Sequence, residues 1–131
     1  MNSNKDRIKA KFADVEAYER SIRRFVPYYE EMMDSVLDCL PKSNKKYSIL
    51  ELGCGTGNLI LRLLEKASSA QLVAIDIVEE MIKACRNRLE GRKVDAEFIC
   101  AEMTEFCRPN AFDYVFSTLV LHYPETEKKN F

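Results

Sequence analysis

The sequence has little of what several protein classes require. It contains a single histidine, and none of its five cysteines stands in a C-x-x-C pair. A metal centre would therefore have few ligands, and we interpret the cysteines as buried, reduced thiols. No apolar run approaches the ~20 residues of a membrane-spanning helix, and the first residues lack the apolar core of a signal peptide. These absences predict a cytoplasmic protein with no membrane-spanning part.

Net charge is also nearly absent. The formal net charge is −1 at pH 7, so no overall field attracts nucleic acid or an anionic membrane, although a local basic patch could still bind one. The chain has 47% apolar and 31% charged residues, no internal repeats and no low-complexity segment. This composition is typical of a soluble globular protein, and the length fits a single domain over residues 1–131.

The strongest local signal is the sequence ELGCGTGN at residues 51–58. It follows a short β-prone apolar run, residues 47–50, and precedes a strong helix former, residues 59–66. A strand, a glycine-rich turn and a helix start present backbone N–H groups to a ligand. Glycine allows turns that a side chain forbids, and it lets a ligand approach the backbone closely. The segment therefore predicts a ligand site.

The spacing of the glycines favours one kind of ligand. Gly53, Gly55 and Gly57 differ from the dinucleotide pattern G-x-G-x-x-G because the last interval is one residue short. Glu51 would repel a pyrophosphate, whereas a zwitterionic or cationic ligand would tolerate it. Asp76 ends the next apolar run, 19 residues after Gly57. A second strand would place its carboxylate there against ribose hydroxyls.

These residues together resemble the first motif of the class I S-adenosylmethionine-dependent methyltransferases, E/D-x-G-x-G-x-G. The resemblance extends from about Phe12 to the C-terminus. Residues 25–29, FVPYY, are similar to the tRNA wobble-uridine carboxymethyltransferase group and to small archaeal and bacterial methyltransferases of unassigned substrate. The resemblance implies S-adenosylmethionine as cofactor and an unidentified methyl acceptor, either a small molecule or a tRNA.

The pattern along the chain predicts an α/β domain. We expect a frayed or loosely docked segment before about residue 11, then amphipathic helices over residues 14–40 with a new helix starting at Pro27. All of these lie within an N-terminal helical cap over residues 1–41. Predicted strands at residues 47–50, 72–75, 96–100 and 112–117 alternate with predicted helices at 59–66, 78–89 and 103–107. This right-handed βαβ series predicts a parallel sheet in a core over residues 47–131. The resemblance implies a Rossmann-like fold with strand order 3-2-1-4.

The C-terminus departs from the family pattern. Residues 124–131 favour the first turn of a helix, and the family's fifth strand and final antiparallel hairpin do not follow. We therefore expect a C-terminally truncated fold in which the fourth strand is an edge. Three explanations stay open: a fragment of a longer gene, a deliberately shortened chain, or a homodimer through the fourth strand.

The resemblance also implies roles for individual residues. Glu51 would reach the cofactor ammonium, Asp76 the ribose hydroxyls and Glu102 the adenine amino group, with Ile77 against the adenine ring. Each has a structural alternative: loop capping, a helix N-cap, a first-turn helix residue and core packing respectively. The full set of expected cofactor-binding residues is Tyr18, Tyr29, Glu51, Gly53, Cys54, Gly55, Gly57, Asp76, Ile77, Met81, Glu102, Met103, Ser117 and Thr118.

Catalytic residues are harder to predict. The resemblance implies that His122 lies near the methyl group, which makes it a candidate general base, although a lone histidine is more often structural. Transfer from a sulfonium requires alignment more than proton chemistry, so a catalytic triad is not expected. The main hypothesis is a methyltransferase or its cofactor-binding portion. The alternatives are a non-catalytic S-adenosylmethionine-binding or edge-dimerising module and, disfavoured by the glycine spacing and Glu51, an NAD(P)-binding enzyme.

Overall fold

A single parallel sheet forms the centre of the computed structural model, which describes residues 3–43 and 45–120. Its strands are β1 (Ser48–Leu52), β2 (Gln71–Asp76), β3 (Asp95–Cys100) and β4 (Tyr114–Ser117). Every neighbouring pair is parallel and the order is β3-β2-β1-β4. The predicted α/β class, parallel sheet and strand order 3-2-1-4 are confirmed.

Five α-helices accompany the sheet in the described part of the chain. They are α1 (Asn4–Phe12), α2 (Val15–Phe25), α3 (Tyr29–Leu37), α4 (Asn58–Lys66) and α5 (Glu79–Leu89), and a 3-10 turn follows at Met103–Glu105. In residues 3–43 and 45–120 no helix combines the length and the apolar character needed to cross a bilayer.

The sheet is apolar on both of its faces, as parallel strands require. On one face Ile49 and Ala74 are fully buried in a core shared with α3, α4 and α5. On the other face Leu52 and Ile75 are covered by the chain that follows β3, including Phe106. The strands are therefore fixed from both sides, and their carboxyl ends provide a rigid base for a site.

The N-terminal segment is helical. Of the two predicted alternatives, a frayed or a loosely docked terminus, the first was wrong. Ser3 Oγ accepts a hydrogen bond from the Asp6 N–H at 3.2 Å, and the Asp6 carboxylate accepts one from the Ser3 N–H at 3.0 Å. This capping box satisfies N–H groups that a helix start otherwise leaves without partners. The helix it starts, α1, is therefore formed where charge alternation alone suggested none.

The junction between α2 and α3 also differs from the prediction. Pro27 does not start α3, because Val26 before it is extended (φ −108°, ψ 104°) and Tyr28 after it is left-handed (φ 54°, ψ 36°). A residue before proline is disfavoured in the helical region, which accounts for the end of α2 at Phe25. The chain turns through Pro27 and Tyr28, and α3 begins at Tyr29.

The cysteines are only partly as predicted. Cys54 and Cys85 are buried free thiols, whereas Cys39, Cys100 and Cys107 are exposed free thiols. The exposed cysteines lie after α3, at the end of the edge strand β3 and after the 3-10 turn. Apolar neighbours in sequence do not bury a residue at such positions, so the prediction of five buried thiols was wrong for these three.

Candidate functional site

One cavity of about 330 Å³ lies at the carboxyl ends of the strands, under the N-terminal helices. Parallel sheets bind ligands at this edge because their strand-to-helix turns gather there. The volume falls at the lower end of the range for small-molecule pockets, about 300–1,000 Å³. Its wall combines parts of α1, α2 and α3 with the glycine loop (residues 53–57), the end of β2 and the chain after β3 and β4.

Most of the predicted cofactor-binding residues line this cavity. Gly57 and Ser117 do not, and His122 lies outside the described residues. The predicted residues on the wall are Tyr18, Tyr29, Glu51, Gly53, Cys54, Gly55, Asp76, Ile77, Met81, Glu102, Met103 and Thr118.

Gly57 and Ser117 have other positions. Gly57 is the N-cap of α4 with φ 89°, and a Cβ there would lie 2.8 Å from Cys85 Sγ. Gly57 therefore allows α5 to pack against the loop. Ser117 pairs in register with Leu52, and its buried Oγ has no hydrogen-bond partner among the described residues.

The glycine loop is held to the end of β2 through its backbone. The N–H groups of Gly53 and Cys54 both donate to the carbonyl oxygen of Ile75, at 2.7 and 2.9 Å. Gly53 has φ 73°, and a Cβ at this position would be 2.5 Å from Cγ1 of Val120. Glycine is thus required here twice, for the left-handed backbone and for the close approach of the chain after β4.

Asp76 fixes the same loop through its side chain. Its Oδ2 accepts from the Gly55 N–H and its Oδ1 accepts from the Val78 N–H, both at 2.9 Å. Burial raises the pKa of Asp76, and the backbone hydrogen bonds oppose that rise. A carboxylate offers about four lone-pair sites, so the Asp76 carboxylate can still accept from a hydroxyl donor. The N-cap of α5 is Val78 rather than Asp76.

Glu51 provides a second carboxyl, and one of its oxygens is unsatisfied in the described part of the chain. Its Oε2 is buried and makes no hydrogen bond within the described residues. Burial, followed by the nearby Cys85 and Asp76, raises the pKa of Glu51 well above its usual value. A buried unpaired carboxyl is unfavourable, and a ligand with a cationic or hydrogen-donating group would relieve this.

Both tyrosines that were predicted to bind the cofactor contact other residues of the cavity wall. The Tyr18 ring meets the Phe12 ring edge-on, with centroids 5.7 Å apart. The Tyr29 hydroxyl accepts from Asn58 Nδ2 at 2.9 Å, and it retains its own proton as a donor. Tyr29 is 3% exposed, so its hydroxyl position is set by packing before any ligand enters.

Helix α1 was the main part of the wall that sequence reasoning missed. Ile8 and Phe12 lie one helical turn apart and both line the cavity, and the Lys5 ammonium forms an ion pair with Glu105. The capping box and the Ile8/Phe12 spacing were the available signals. Other wall residues that were not predicted are Asn4, Ile22, Val26, Met33, Thr56, Asn58, Leu59, Ile75, Val78, Ala101, Thr104, Leu119 and Val120.

The donor set of the cavity suits an organic ligand. Across the described ranges, no group of three or more His, Cys, Asp or Glu side chains could hold a metal ion. Instead, two carboxyls lie beside apolar side chains such as Ile77 and Met103. A ligand with a cationic end, hydroxyl groups and a flat apolar ring would match these features.

Comparison with known proteins identifies the family. Residues 49–131, more than half of the chain, match a family model described as a methyltransferase domain. The chain belongs to this methyltransferase-domain family. The resemblance predicted from the glycine motif is thereby confirmed.

Two relatives illustrate how far the similarity of this methyltransferase domain extends. It is 30% identical to carboxy-S-adenosyl-L-methionine synthase of Nautilia profundicola over 90 residues. This match covers 68% of the present chain. The domain is 31% identical over 110 residues to malonyl-[acyl-carrier protein] O-methyltransferase of Acetivibrio thermocellus, which covers 81% of this chain. Each match covers 38% of the relative's own length.

Solved structures share the fold of the methyltransferase domain. Magnesium protoporphyrin IX methyltransferase from Synechocystis PCC 6803, with bound SAM, superposes with a TM-score of 0.76 at 19% identity, over 98% of this chain and 67% of that one. N-methyltransferase NodS from Bradyrhizobium japonicum WM9, with S-adenosyl-L-homocysteine, has a TM-score of 0.76 at 20% identity, over 95% and 61% of the two chains.

Proposed function

We propose that this domain binds S-adenosylmethionine in the cavity and acts as an S-adenosylmethionine-dependent methyltransferase, or as the cofactor-binding portion of one. The observation that carries the proposal is the buried carboxyl of Glu51 together with the half-buried carboxyl of Asp76, both on the cavity wall beside the glycine loop. The family match and the ligands named for the two solved structures support it.

Each part of the cofactor has a candidate partner. We propose that Glu51 pairs with the amino-acid ammonium, that Asp76 accepts hydrogen bonds from the ribose hydroxyls, and that Glu102 meets the adenine amino group. Ile77 and Met103 offer apolar surface to the adenine ring. The remaining proposed contacts, to the amino-acid end and the loop, come from Tyr18, Tyr29, Gly53, Cys54, Gly55, Met81 and Thr118.

The same carboxyls argue against a nicotinamide dinucleotide. A pyrophosphate over the glycine loop would meet the buried Glu51 without a neutralising cation beside it. The lysine on the cavity wall, Lys5, is already paired with Glu105. No observation favours a dinucleotide over a sulfonium.

The contribution of the chain to catalysis is mainly alignment. When bound, S-adenosylmethionine would supply an electrophilic sulfonium methyl group to an acceptor, with the neutral thioether as the leaving group. The glycine loop and Asp76 hold the cofactor's position, and α1 and α2 cover the cavity and limit water. Alignment of this kind can be worth effective molarities of about 10⁵–10⁸ M.

The acceptor and the cellular location belong to the proposal as well. We propose a small-molecule or tRNA acceptor that approaches from the chain after β4, where Thr118 and Leu119 line the cavity. The two relatives named above span more residues than this chain matches, so acceptor groups can come from regions with no counterpart here. We propose that the protein acts in the cytoplasm.

Isothermal titration with S-adenosylmethionine and S-adenosylhomocysteine tests the cofactor proposal. We expect both ligands to bind the folded domain with one site per chain. An absence of heat at millimolar ligand would contradict the proposal, and enhancement of NADH fluorescence on mixing would favour a dinucleotide instead. Incubation with radiolabelled cofactor and a cell extract then separates methyl transfer from binding alone.

Self-association through β4 is a second proposal with its own observation. In residues 3–43 and 45–120, β4 pairs with β1 on one side and with no strand on the other. Val115 of this strand is 56% exposed. An exposed apolar edge strand is a template for pairing with another chain, which supports a homodimer at this edge.

A further inference from the structure

Helix α2 covers the cavity although no residue of α2 is buried. Two of its residues, Tyr18 and Ile22, lie on the cavity wall. The Tyr18 hydroxyl lies 4.0 Å from the point that a Cβ on Gly55 would occupy. A helix that buries so little apolar surface needs other contacts to stay in place. Glu19, which lies between Tyr18 and Ile22 in the sequence, supplies such contacts.

Glu19 reaches from α2 to the start of α4. Its Oε1 accepts a hydrogen bond from Thr56 Oγ1 and another from Asn58 Nδ2, the latter at 3.2 Å. Thr56 and Asn58 flank Gly57, the N-cap of α4, which has no side chain to cap the helix. A carboxylate at this end of a helix is favoured by the helix dipole.

The partners of Glu19 are themselves fixed. Thr56 is 2% exposed and Asn58 is 8% exposed. Arg88 on α5 donates to Asn58 Oδ1 at 2.7 Å and to the Thr56 carbonyl oxygen at 3.1 Å. Asn58 also donates to the Tyr29 hydroxyl of α3. These five residues, the Glu19 cluster, join α2 to three other elements, and Glu19 is the member that α2 contributes.

The Glu19 carboxylate has little freedom to adopt another arrangement. Its side chain is 29% exposed, and its Oε2 pairs with Arg23 Nη1 at 3.2 Å one helical turn away. Both oxygens are therefore engaged, one within α2 and one across to the glycine loop. Charge-assisted hydrogen bonds of this type are stronger than neutral ones.

We propose that Glu19 is a positioning residue that holds α2, and with it Tyr18, against the glycine loop, so that a ligand leaves the cavity only when this contact breaks. The inference rests on the proposed function, because the ligand whose release it governs is S-adenosylmethionine. Glu19 does not itself line the cavity, and it contacts two residues that do, Thr56 and Asn58. It is assigned no cofactor contact and acts through the placement of α2.

The test combines hydrogen–deuterium exchange of the ligand-free domain with the dissociation rate of S-adenosylhomocysteine. Glu19→Ala removes the hydrogen bonds from both Thr56 and Asn58. We expect amide exchange in α2 and ligand dissociation each to accelerate at least about tenfold, which is the effect of losing a single charge-assisted hydrogen bond. Exchange in β1 should be unchanged. Glu19→Gln retains an acceptor for Thr56 and should restore most of both values.

Glu16→Ala is the matched control on the same helix. The Glu16 side chain is 90% exposed and forms a surface ion pair with Arg20, so this variant should match the parent. Should Glu19→Ala not fold, Glu19→Asp keeps the charge but shortens the reach to Thr56, and it should show the same faster exchange.

Unchanged α2 exchange and ligand dissociation in the Glu19 variants would overturn the inference, and so would equal effects from Glu16→Ala. A parent that binds neither S-adenosylmethionine nor S-adenosylhomocysteine would overturn the proposed function instead. In that case exchange in α2 still decides whether Glu19 holds the helix.

Discussion

The Glu51 carboxyl has opposite effects on the ligand-free fold and on the proposed complex. Burial raises its pKa well above the usual 4.5, so the folded state binds this proton more tightly than the unfolded chain does. Stability therefore falls as pH rises above 4.5. The ionised carboxylate is, however, the form that would pair with an ammonium group.

We expect Glu51→Gln to stabilise the ligand-free domain near neutral pH and to weaken cofactor binding. Removing a buried acid with an unsatisfied oxygen should raise the melting temperature by about 2–8 °C, the shift that roughly 1 kcal/mol gives in domains of this size class. Thermal melts and titration with S-adenosylmethionine at pH 6 and 8 measure both effects. In the parent, affinity should increase with pH, and the variant should show a smaller increase; a lower melting temperature with unchanged affinity would contradict this account.

Asp76 combines a structural and a proposed ligand role, so its replacement should affect both. Asp76→Ala leaves the N–H groups of Gly55 and Val78 without their acceptor. We expect a loss of about 1–3 kcal/mol in the free energy of unfolding and at least about tenfold weaker cofactor binding. Chemical denaturation and titration measure the two losses.

Asp95→Ala is the matched control for Asp76. Asp95 is exposed at the start of β3 and forms a surface ion pair with Lys46, which contributes little to stability. Equal effects of the two substitutions would show that Asp76 has no special role in the loop.

The strand β1 and the elements after it were largely predictable, because the sequence signals for them are local. The apolar run before Gly53 and the helix formers after Gly57 fixed β1 and α4 to within two residues. Helix α1 and the left-handed Tyr28 were missed for different reasons. The first depends on a reciprocal cap between Ser3 and Asp6, and the second on how a turn through Pro27 fits between two packed helices.

The close contact between the glycine loop and α5 predicts different stability costs for alanine at two glycines. A Cβ on Gly57 would lie 2.8 Å from Cys85 Sγ, whereas a Cβ on Gly91 would meet nothing within 4 Å. Both glycines have positive φ, 89° and 78°. We therefore expect Gly57→Ala to lower the free energy of unfolding by more than Gly91→Ala, which reports the backbone strain alone.

A double-mutant cycle isolates the clash. Cys85→Ala removes the sulfur but also opens a cavity, so its own cost must be measured separately. In the background of Cys85→Ala, the effect of Gly57→Ala should fall to that of Gly91→Ala. Additive effects in the cycle would show that α5 does not constrain the loop through this sulfur.

At the scale of the whole molecule, sequence patterns predicted the parallel sheet. They did not predict how the N-terminal helices cover it, because that depends on contacts between residues far apart in the sequence. The positions of Glu51 and Asp76 on one cavity follow from adjacent parallel strands, because Glu51 and Ala74 pair in register two residues before Asp76. No local pattern could show that Lys5 would pair with Glu105, a hundred residues away in the sequence. The full wall of the cavity therefore forms only when the N-terminal helices fold over the sheet.

The side of β4 that pairs with no strand in the described ranges leads to a prediction about the oligomeric state. Within the described ranges Val115 lies on this edge strand and is 56% exposed, so pairing of two β4 strands would cover part of it in a homodimer. A lysine at this position places like charges opposite each other across such an interface and blocks the pairing. We therefore expect Val115→Lys to shift the domain to monomer in sedimentation velocity over a range of concentrations.

Gln71→Lys, at an exposed position at the start of β2, adds the same charge away from β4 and should sediment like the parent. A parent that is monomeric at every concentration would exclude edge pairing and leave the cofactor proposal untouched, because the cavity is lined by residues of one chain.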